Sequence, residues 1–220
     1  AAFLGSVKHP DRSALANFGT GSQISLIGDP ADPEPPLESR PHINGNKLLS
    51  GSALCGGKAY ALLERFFRLY AANIGIEKSQ YEVMNSLALR ALDEHALTVR
   101  TTFCGTRANP DERGSILNIS EDNFTPEALI VGTLTGMAAE LHGMFLQMNP
   151  VGIDTLVLTG NTVRKNQALV QILSRVFGMK TAIPIHIEEA SFGAALFAAL
   201  ASGIADASDL SECIKYDYSR

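Results

Sequence analysis

The chain has 220 residues and carries 18 Lys and Arg against 23 Asp and Glu, which gives a formal net charge of -5. This mild acidity argues against a nucleic-acid partner, because phosphate backbones are bound by clustered positive charge. The longest run without a polar side chain, residues 192–201, is shorter than the roughly 20 residues of a membrane span, so we expect no membrane insertion. Hydrophobic residues make up 45% of the chain, which is enough for a globular fold with its own core.

The cysteines and histidines give no sign of a metal site or of nucleophilic catalysis. Cys55, Cys104 and Cys213 lie far apart and form no Cys-x-x-Cys pair, so we expect no disulfide framework and a cytoplasmic location. Cys104 has no base beside it in sequence, which leaves a nucleophilic role unsupported. His142 and His186 have no partners at the spacing of metal ligands.

The first part of the chain predicts a β-hairpin, a loop and three helices. Polar and apolar residues alternate over 14–18 and 23–27, on either side of the turn Gly19-Thr20-Gly21-Ser22. Five of the ten prolines fall within residues 29–41, which predicts an irregular loop. Apolar residues at helical spacing predict three helices, over 57–73, 79–95 and 125–147.

The last third of the chain alternates strand and helix. Strands are predicted over 155–158 and 181–187, and helices over 164–177 and 190–202, with Gly203 ending the last helix. Such alternation indicates an α/β layer with parallel strand pairing. Together with the hairpin, it predicts a mixed β-sheet flanked by helices.

A long polar segment, 104–123, separates the second and third predicted helices. Unstructured loops of more than roughly 12 residues are often functional. The segment includes four charged side chains, which are those of Arg107, Asp111, Glu112 and Arg113. A solvated loop is the simpler interpretation of these charges, and contact with a substrate or with another domain is the alternative.

Two glycine-containing turns are candidate ligand sites. The turn Gly19-Thr20-Gly21-Ser22 offers backbone N–H groups and hydroxyls to an anion, although it is not a Walker A loop. A hairpin turn that needs glycine for a positive φ is the alternative. Thr159-Gly160-Asn161 follows a buried strand, where α/β sheets bind ligands, and Lys165 and Asn166 lie within reach of a ribose, base or phosphate. The alternative is that Gly160 only turns the chain.

A third glycine pair, Gly56-Gly57, opens the first long predicted helix. It allows either close backbone packing, which we favour, or approach of a ligand to the positive end of the helix dipole. No G-x-G-x-x-G pattern follows a predicted strand, so a Rossmann oxidoreductase is disfavoured.

Six of these segments, taken in order, resemble the C-terminal, ATP-binding half of the FGGY carbohydrate kinases. The segments are 2–5, 17–23, 55–60, 103–107, 158–161 and 188–195. That family belongs to the actin-like superfamily, which has two ribonuclease-H-like domains with a nucleotide cleft between them. Residues 103–118 and Leu141-His142-Gly143-Met144 look most like the sedoheptulokinases within the family.

The resemblance implies a set of ATP-binding residues, which are Gly19, Thr20, Gly21, Gly57, Gly160, Asn161 and Lys165. The first three would form the family's second phosphate loop, Gly57 would lie against the nucleotide, and the last three would form the adenosine motif. The family usually has a second glycine where this chain has Asn161, so we expect a narrower adenine slot.

The resemblance also implies the reaction, which is transfer of the γ-phosphate of Mg-ATP to a hydroxyl of a sedoheptulose-like ketose. In these kinases a G-D-x-Q element, whose Asp is the general base, immediately precedes the stretch that matches Ala1-Ala2-Phe3-Leu4. The family's N-terminal domain holds most of the sugar, and phosphates and water hold the Mg²⁺. We therefore expect residues 1–220 to be the C-terminal nucleotide-binding domain of a two-domain kinase, inactive alone. The alternative is a non-catalytic actin-like nucleotide-binding or interaction module.

Overall fold

The computed structural model describes residues 1–28, 33–94 and 97–217. Residues 29–32 of the predicted loop and the last residue of the helix predicted over 79–95 lie outside the described residues. The helices are α1 (Ala2–Ser6), α2 (Gly56–Ala72), α3 (Tyr81–Arg90), α4 (Pro126–Gln147), α5 (Asn161–Lys165), α6 (Gln167–Phe177), α7 (Glu189–Ala201) and α8 (Ala207–Glu212). The strands are β1 (Ser13–Phe18), β2 (Ser22–Ile27), β3 (Leu37–Pro41), β4 (Lys47–Ala53), β5 (Thr98–Arg100), β6 (Ser115–Leu117), β7 (Thr155–Thr159), β8 (Lys180–Pro184) and β9 (Tyr216–Asp217).

A mixed β-sheet forms the centre of the described structure, with the strand order β3-β4-β2-β1-β7-β8-β9. β1 pairs antiparallel with β2 and parallel with β7, and β7 pairs parallel with β8. This arrangement confirms the predicted hairpin and the predicted mixed sheet. In the parallel pair Asn17 lies opposite Thr159, so the turns that follow β1 and β7 leave the sheet side by side.

α4 is the central helix of the core and packs against α2, α3, α6 and the sheet. Its side chains at Ile130, Leu134, Met137 and Leu141 are fully buried. Thr125, the first residue of the predicted helix, caps it, because the Thr125 side chain accepts a hydrogen bond from the Ala128 N–H. Among the described helices, α4 alone is long and apolar enough to cross a bilayer by length and composition, but more than half of its apolar stretch is buried inside this domain.

Two sequence predictions about the sheet region are wrong in part. The proline-rich segment ends in a strand, β3, which pairs antiparallel with β4 at the edge of the sheet. Proline is tolerated there because an edge strand has one side without ladder hydrogen bonds. The loop predicted over 104–123 contains β6, which pairs with β5 in a separate two-stranded sheet.

The helix predicted over 164–177 is two helices, α5 and α6. The break falls at Asn166, which has extended backbone angles (φ -135°, ψ 92°) and whose side chain accepts a hydrogen bond from the Leu169 N–H. Asparagine favours such caps over a helix interior because its side chain bonds to nearby backbone groups. The cap turns α6 away from α5 and leaves Asn166 beside the site described below.

Candidate functional site

The turns after β1 and β7 border a cleft of about 530 Å³. Two further segments complete it, the first turn of α2 and the residues that lead into α7. The lining residues are Gly19, Thr20, Gly57, Lys58, Ala61, Gly160, Asn161, Thr162, Ile187, Glu188 and Glu189. The cleft therefore brings together five of the seven predicted site residues, although they are far apart in sequence.

Gly19 is a glycine that the backbone does not require. Its φ is outside the left-handed region, and a Cβ placed on it would meet nothing closer than 3.8 Å. The sequence-based alternative, a turn that needs glycine for a positive φ, is therefore wrong at this position. The absent side chain leaves room on the side of the cleft, which is what a ligand that approaches the backbone needs.

Gly21 and Gly56 are explained by backbone packing. A Cβ on Gly21 would lie 2.8 Å from the Ala53 carbonyl oxygen, and one on Gly56 would lie 2.5 Å from the Gly21 carbonyl oxygen. Gly21 lines neither this cleft nor its neighbouring cavity among the described residues. Close packing, the interpretation favoured for Gly56-Gly57 from the sequence, is confirmed for Gly56.

The first N–H groups of α2 hold the turn after β1. The Gly57 N–H donates to the Gly19 carbonyl at 2.9 Å, and the Lys58 N–H donates to the Thr20 carbonyl at 3.0 Å. A Cβ on Gly57 would lie 2.5 Å from Thr162 Oγ1, so Gly57 also allows α5 to approach. These two N–H groups fix the shape of the cleft wall and are engaged with backbone oxygens.

Gly160 is required by the backbone. Its φ of +94° with ψ of 156° is a conformation that other residues rarely adopt, and a Cβ there would overlap the Phe18 carbonyl. Gly160 therefore turns the chain sharply at the end of β7. Because the turn lies in the cleft wall, the same glycine also places Asn161 and Thr162 beside the cavity.

A buried ion pair holds the opposite wall of the cleft. The Arg164 guanidinium lies 2.5 Å from Glu189 Oε1, and the two side chains are 15% and 9% exposed. The same nitrogen donates to the carbonyls of Pro184 and His186, at 2.9 and 2.7 Å. Arg164 thus ties α5 to the segment that carries Ile187 and Glu188 into the cleft. Neither partner was a sequence-based candidate, because 25 residues separate them and no local spacing signals the pair.

The start of α7 also contacts the beginning of the chain. A Cβ on Gly5 would lie 2.6 Å from the Gly193 N, and one on Gly193 would overlap the Ala1 carbonyl. α1 therefore packs closely on the first turns of α7, whose Glu189 lines the cleft. This contact explains why segments 2–5 and 188–195 both contain a glycine.

A smaller cavity of about 290 Å³ adjoins the cleft and shares Gly57, Asn161 and Thr162 with it. It contains Lys165, the seventh predicted site residue, and four residues that were not in the predicted set, Tyr60, Tyr81, Asn85 and Asn166. The Tyr60 hydroxyl donates to Asn85 Oδ1 at 2.8 Å, and Asn85 Nδ2 donates to the Lys165 carbonyl at 3.1 Å. Burial raises the pKa of Tyr60, so the hydroxyl stays protonated and can donate.

The charged loop residues lie elsewhere. Arg107 forms an ion pair with Glu38, and Arg113 donates to the carbonyls of Pro110 and Glu112. None of them lines the cleft or the adjoining cavity in the described part of the chain. These contacts favour the interpretation of a solvated loop.

His142 and His186 pack against aromatic rings, and Cys55 is buried. His142 stacks on Phe145, and the His186 ring lies 3.9 Å from that of Phe192. Burial and the neighbouring Cys104 raise the pKa of the Cys55 thiol to about 12, so this thiol is protonated near neutral pH. Residues 1–28, 33–94 and 97–217 contain no group of three His, Cys, Asp or Glu side chains arranged to hold a metal ion.

Several sugar kinases are similar to this chain in sequence or in structure. Mouse sedoheptulokinase is 28% identical over 195 residues, which cover 83% of this chain and 40% of the mouse protein. The crystal structure of xylulose kinase from Rhodospirillum rubrum superimposes with a TM-score of 0.81 at 17% identity, over 98% of this chain and 44% of that one. The structure of Plasmodium falciparum glycerol kinase with ADP gives a TM-score of 0.76 at 20% identity, with the same coverage of each chain.

These similarities establish the fold, which is the actin-like ATPase fold of the sugar kinases, as predicted. The chain spans less than half the length of each of these three relatives. Residues 14–202 match the family model described as the FGGY family of carbohydrate kinases, C-terminal domain. The chain therefore belongs to the FGGY family of carbohydrate kinases.

Proposed function

We propose that this chain is the nucleotide-binding domain of a two-domain kinase that uses Mg-ATP to phosphorylate a hydroxyl of a ketose. The observation that carries the proposal is Gly19, whose missing side chain leaves open space at the cleft although the backbone does not require glycine. A residue of this kind is expected where a ligand approaches the main chain. The ADP in the similar glycerol kinase structure supports a nucleotide as that ligand.

The phosphates would lie in the larger cleft, against the Gly19-Thr20 turn. Lys58 lines the same cleft, is exposed, and forms no ion pair with any described residue, so its ammonium group is available to a phosphate. The adenosine would extend past Asn161 into the smaller cavity, where Lys165 lies. Asn161 stands at the junction of the two cavities, where the family has glycine, and would narrow the passage.

In this arrangement the bound nucleotide, rather than the protein, would hold most of the magnesium ion. Among the described residues, no three His, Cys, Asp or Glu side chains are arranged to hold a metal ion. The phosphates and water would therefore supply most of the ligands of Mg²⁺. Bound in this way, the ion would neutralise charge on the transferred phosphoryl group. Glu188 lines the cleft with an exposed carboxylate, which would accept a hydrogen bond from a metal-bound water.

The general base would come from residues that precede Ala1 in a full-length protein. α1 packs against the first turns of α7, and a Cβ on Gly193 would overlap the Ala1 carbonyl, so a residue joined to Ala1 would enter beside these turns, which begin in the cleft wall at Glu189. A general base must lie within hydrogen-bond reach of the proton that it removes, and this wall borders the proposed phosphate site. The proposal therefore assigns the base and most of the sugar pocket to the N-terminal domain, and it expects residues 1–220 alone to bind nucleotide without transferring phosphate.

The sugar is proposed to be sedoheptulose or a ketose like it, on the basis of the mouse and human sedoheptulokinase relatives. The test is a phosphorylation assay of the full-length protein with Mg-ATP across a series of ketoses and polyols. The proposal expects the highest kcat/KM for a seven-carbon ketose. A preference for glycerol or xylulose would overturn the choice of sugar. ATP binding without phosphorylation of any sugar would instead favour the non-catalytic module.

A further inference from the structure

One face of α2, with the turn that follows it, exposes a row of large apolar side chains. The row consists of Leu62, Phe66, Leu69, Tyr70 and Ile74, and each of these side chains is between 48% and 69% exposed. We call these five side chains the α2 ridge. Single exposed apolar residues are ordinary on protein surfaces, whereas a continuous row of them marks a surface that another protein covers.

The spacing of the α2 ridge is that of a helix that packs against another helix. Leu62, Phe66, Tyr70 and Ile74 follow one another at intervals of four residues. In the commonest class of helix packing, both helices present such a row, and the two rows interdigitate. The row is also symmetrical about Phe66, with Leu62 before it and Tyr70 after it. A second copy of α2, related by a twofold axis at Phe66, would therefore place Leu62 of each copy near Tyr70 of the other.

The centre of the α2 ridge is held in place by its neighbours. The Phe66 ring lies edge-on against the Phe67 ring, with 5.4 Å between the ring centroids, and Phe67 packs on the core. A ring that is already held loses little conformational entropy on binding. Asn73, a polar residue on the same face, donates its amide to the Leu69 carbonyl at 2.8 Å. This amide nitrogen already has a partner, which lowers the cost of covering the face.

The exposed area of the α2 ridge matches one side of a stable dimer interface. A fully exposed large side chain presents roughly 200 Å², so the five exposed fractions correspond to on the order of 500 Å². A standard interface covers about 800 Å² on each partner, and a little more than half of that area is apolar. The α2 ridge therefore supplies about as much apolar surface as such an interface needs.

The α2 ridge points away from the cleft. Successive residues of an α-helix are turned by about 100° about the helix axis. Apart from Lys58, the α2 residues that line the two cavities are therefore turned from Phe66 by at least about 120°. They are Gly57, Tyr60 and Ala61. A domain that closes over the cleft would leave the α2 ridge uncovered, and a partner on the α2 ridge would leave the cleft open.

We propose that the α2 ridge is a homodimer interface, in which the α2 helices of two chains pack against each other about a twofold axis at Phe66. An interface of this symmetry uses the same surface on both partners, and the symmetry of the ridge about Phe66 provides such a surface. Phe66 lies at its centre, where side chains contribute most to the affinity. The inference is independent of the proposed function, because the cleft takes no part in the contact.

The test is the mass of the full-length protein in solution, measured by light scattering and by sedimentation. We expect the wild type to be a dimer at micromolar concentration. Phe66→Glu should raise the dissociation constant of the dimer at least about tenfold, because it places a carboxylate at the centre of an apolar contact. The matched control is Phe124→Glu, since Phe124 is also exposed but lies before α4. The control should dimerise as the wild type does.

Two further measurements separate loss of the dimer from other defects. Phe66→Glu should keep the wild-type midpoint of urea unfolding, because the side chain that it replaces is largely exposed. It should also keep the wild-type affinity for Mg-ATP. The dimer and the nucleotide site therefore fail or succeed separately.

Cross-linking tests the position of the axis without a charged variant. A residue at a twofold axis lies next to its own copy, so Phe66→Cys should form a covalent dimer under mild oxidation. The experiment uses a chain in which Cys213, an exposed free cysteine, is replaced by serine. Phe124→Cys in the same background should stay uncrosslinked.

A monomeric wild-type protein would overturn the inference, and protection of Phe66 from surface labelling in that monomer would show that its own chain covers the ridge. A dimer that Phe66→Glu leaves intact, or that Phe124→Glu dissociates equally, would overturn it as well, because the interface would then lie elsewhere. A stable dimer that Phe66→Cys does not cross-link would contradict the twofold axis at Phe66.

Discussion

The Gly57 N–H donates a hydrogen bond to the Gly19 carbonyl at 2.9 Å, and through it the first turn of α2 holds the turn that follows β1. Glycine stands at these two positions for different physical reasons. Gly57 is needed because a Cβ would meet Thr162 and Gly19, whereas Gly19 has free space around its Cα. One glycine therefore shapes the cleft, and the other leaves it open.

Alanine at Gly19 and at Gly56 should distinguish a glycine that leaves the cleft open from a glycine that backbone packing requires. Gly19→Ala is expected to change the free energy of unfolding by less than about 1 kcal/mol, because its backbone angles and surroundings accept a Cβ. Gly56→Ala is expected to cost more than about 2 kcal/mol, because its Cβ would press on the Gly21 backbone. Urea unfolding of both variants checks the pair, and equal losses would contradict the explanation.

Gly160 should be sensitive for a conformational reason. Gly160→Ala is expected to destabilise the chain by about 3 kcal/mol, because the backbone conformation is unfavourable for alanine and the Cβ would overlap the Phe18 carbonyl. Gly178→Ala is the control, since Gly178 has a φ of +63° but open space around it. It should cost only about 1–2 kcal/mol. A Gly160 variant no less stable than the Gly178 variant would show that the overlap is relieved.

The Arg164–Glu189 pair should be more costly to break than to replace. Arg164→Met is expected to lower the free energy of unfolding by about 3 kcal/mol, because it leaves the Glu189 carboxylate buried without its partner. Adding Glu189→Gln should recover part of that loss, although the hydrogen bonds to Pro184 and His186 remain absent. A double-mutant cycle from chemical unfolding measures the coupling. Additive losses would mean that the pair contributes no specific interaction.

Glu140 should make stability depend on pH. Burial raises its pKa above the usual value of 4.5, against the opposing effect of the hydrogen bond from Thr101 and with a further increase from Glu112. The folded chain therefore binds this proton more tightly than the unfolded chain does, and stability falls as the pH rises from about 4.5 through the folded-state pKa. Glu140→Gln should be more stable than the wild type at pH 7, with the difference vanishing below pH 4.5. Unfolding curves across this range check the sign, and a Gln variant that is less stable at pH 7 would contradict it.

The local features of the fold were predictable from the sequence. The β1–β2 hairpin follows from alternation around a glycine turn, and the start of α4 from Thr125-Pro126. The break at Asn166 was missed because no glycine or proline marks it, and the cap that separates α5 from α6 depends on one side chain. β3 was missed because four prolines precede it and Pro41 ends it, which favours a loop, and because it forms only by pairing with β4 at the edge of the sheet.

The site was predictable to the extent that it lies on turns. Gly19, Gly57 and Gly160 belong to short glycine motifs that the sequence shows directly. The structure brings all three to one cleft. Glu189 was not predicted to face Arg164, and Tyr60 was not predicted to line a cavity. Their roles depend on contacts between distant segments, which local spacing does not encode. The cytoplasmic location stays a prediction.

The most direct test of the account is calorimetric titration of Mg-ATP into the full-length protein and into its Gly19→Val variant. The wild type should bind, and the variant should bind at least about tenfold more weakly with an unchanged midpoint of urea unfolding, because the valine side chain would fill the space left open at the cleft. Equal affinity of the two proteins, or no binding by the wild type, would contradict the assignment of the nucleotide phosphates to the turn that follows β1.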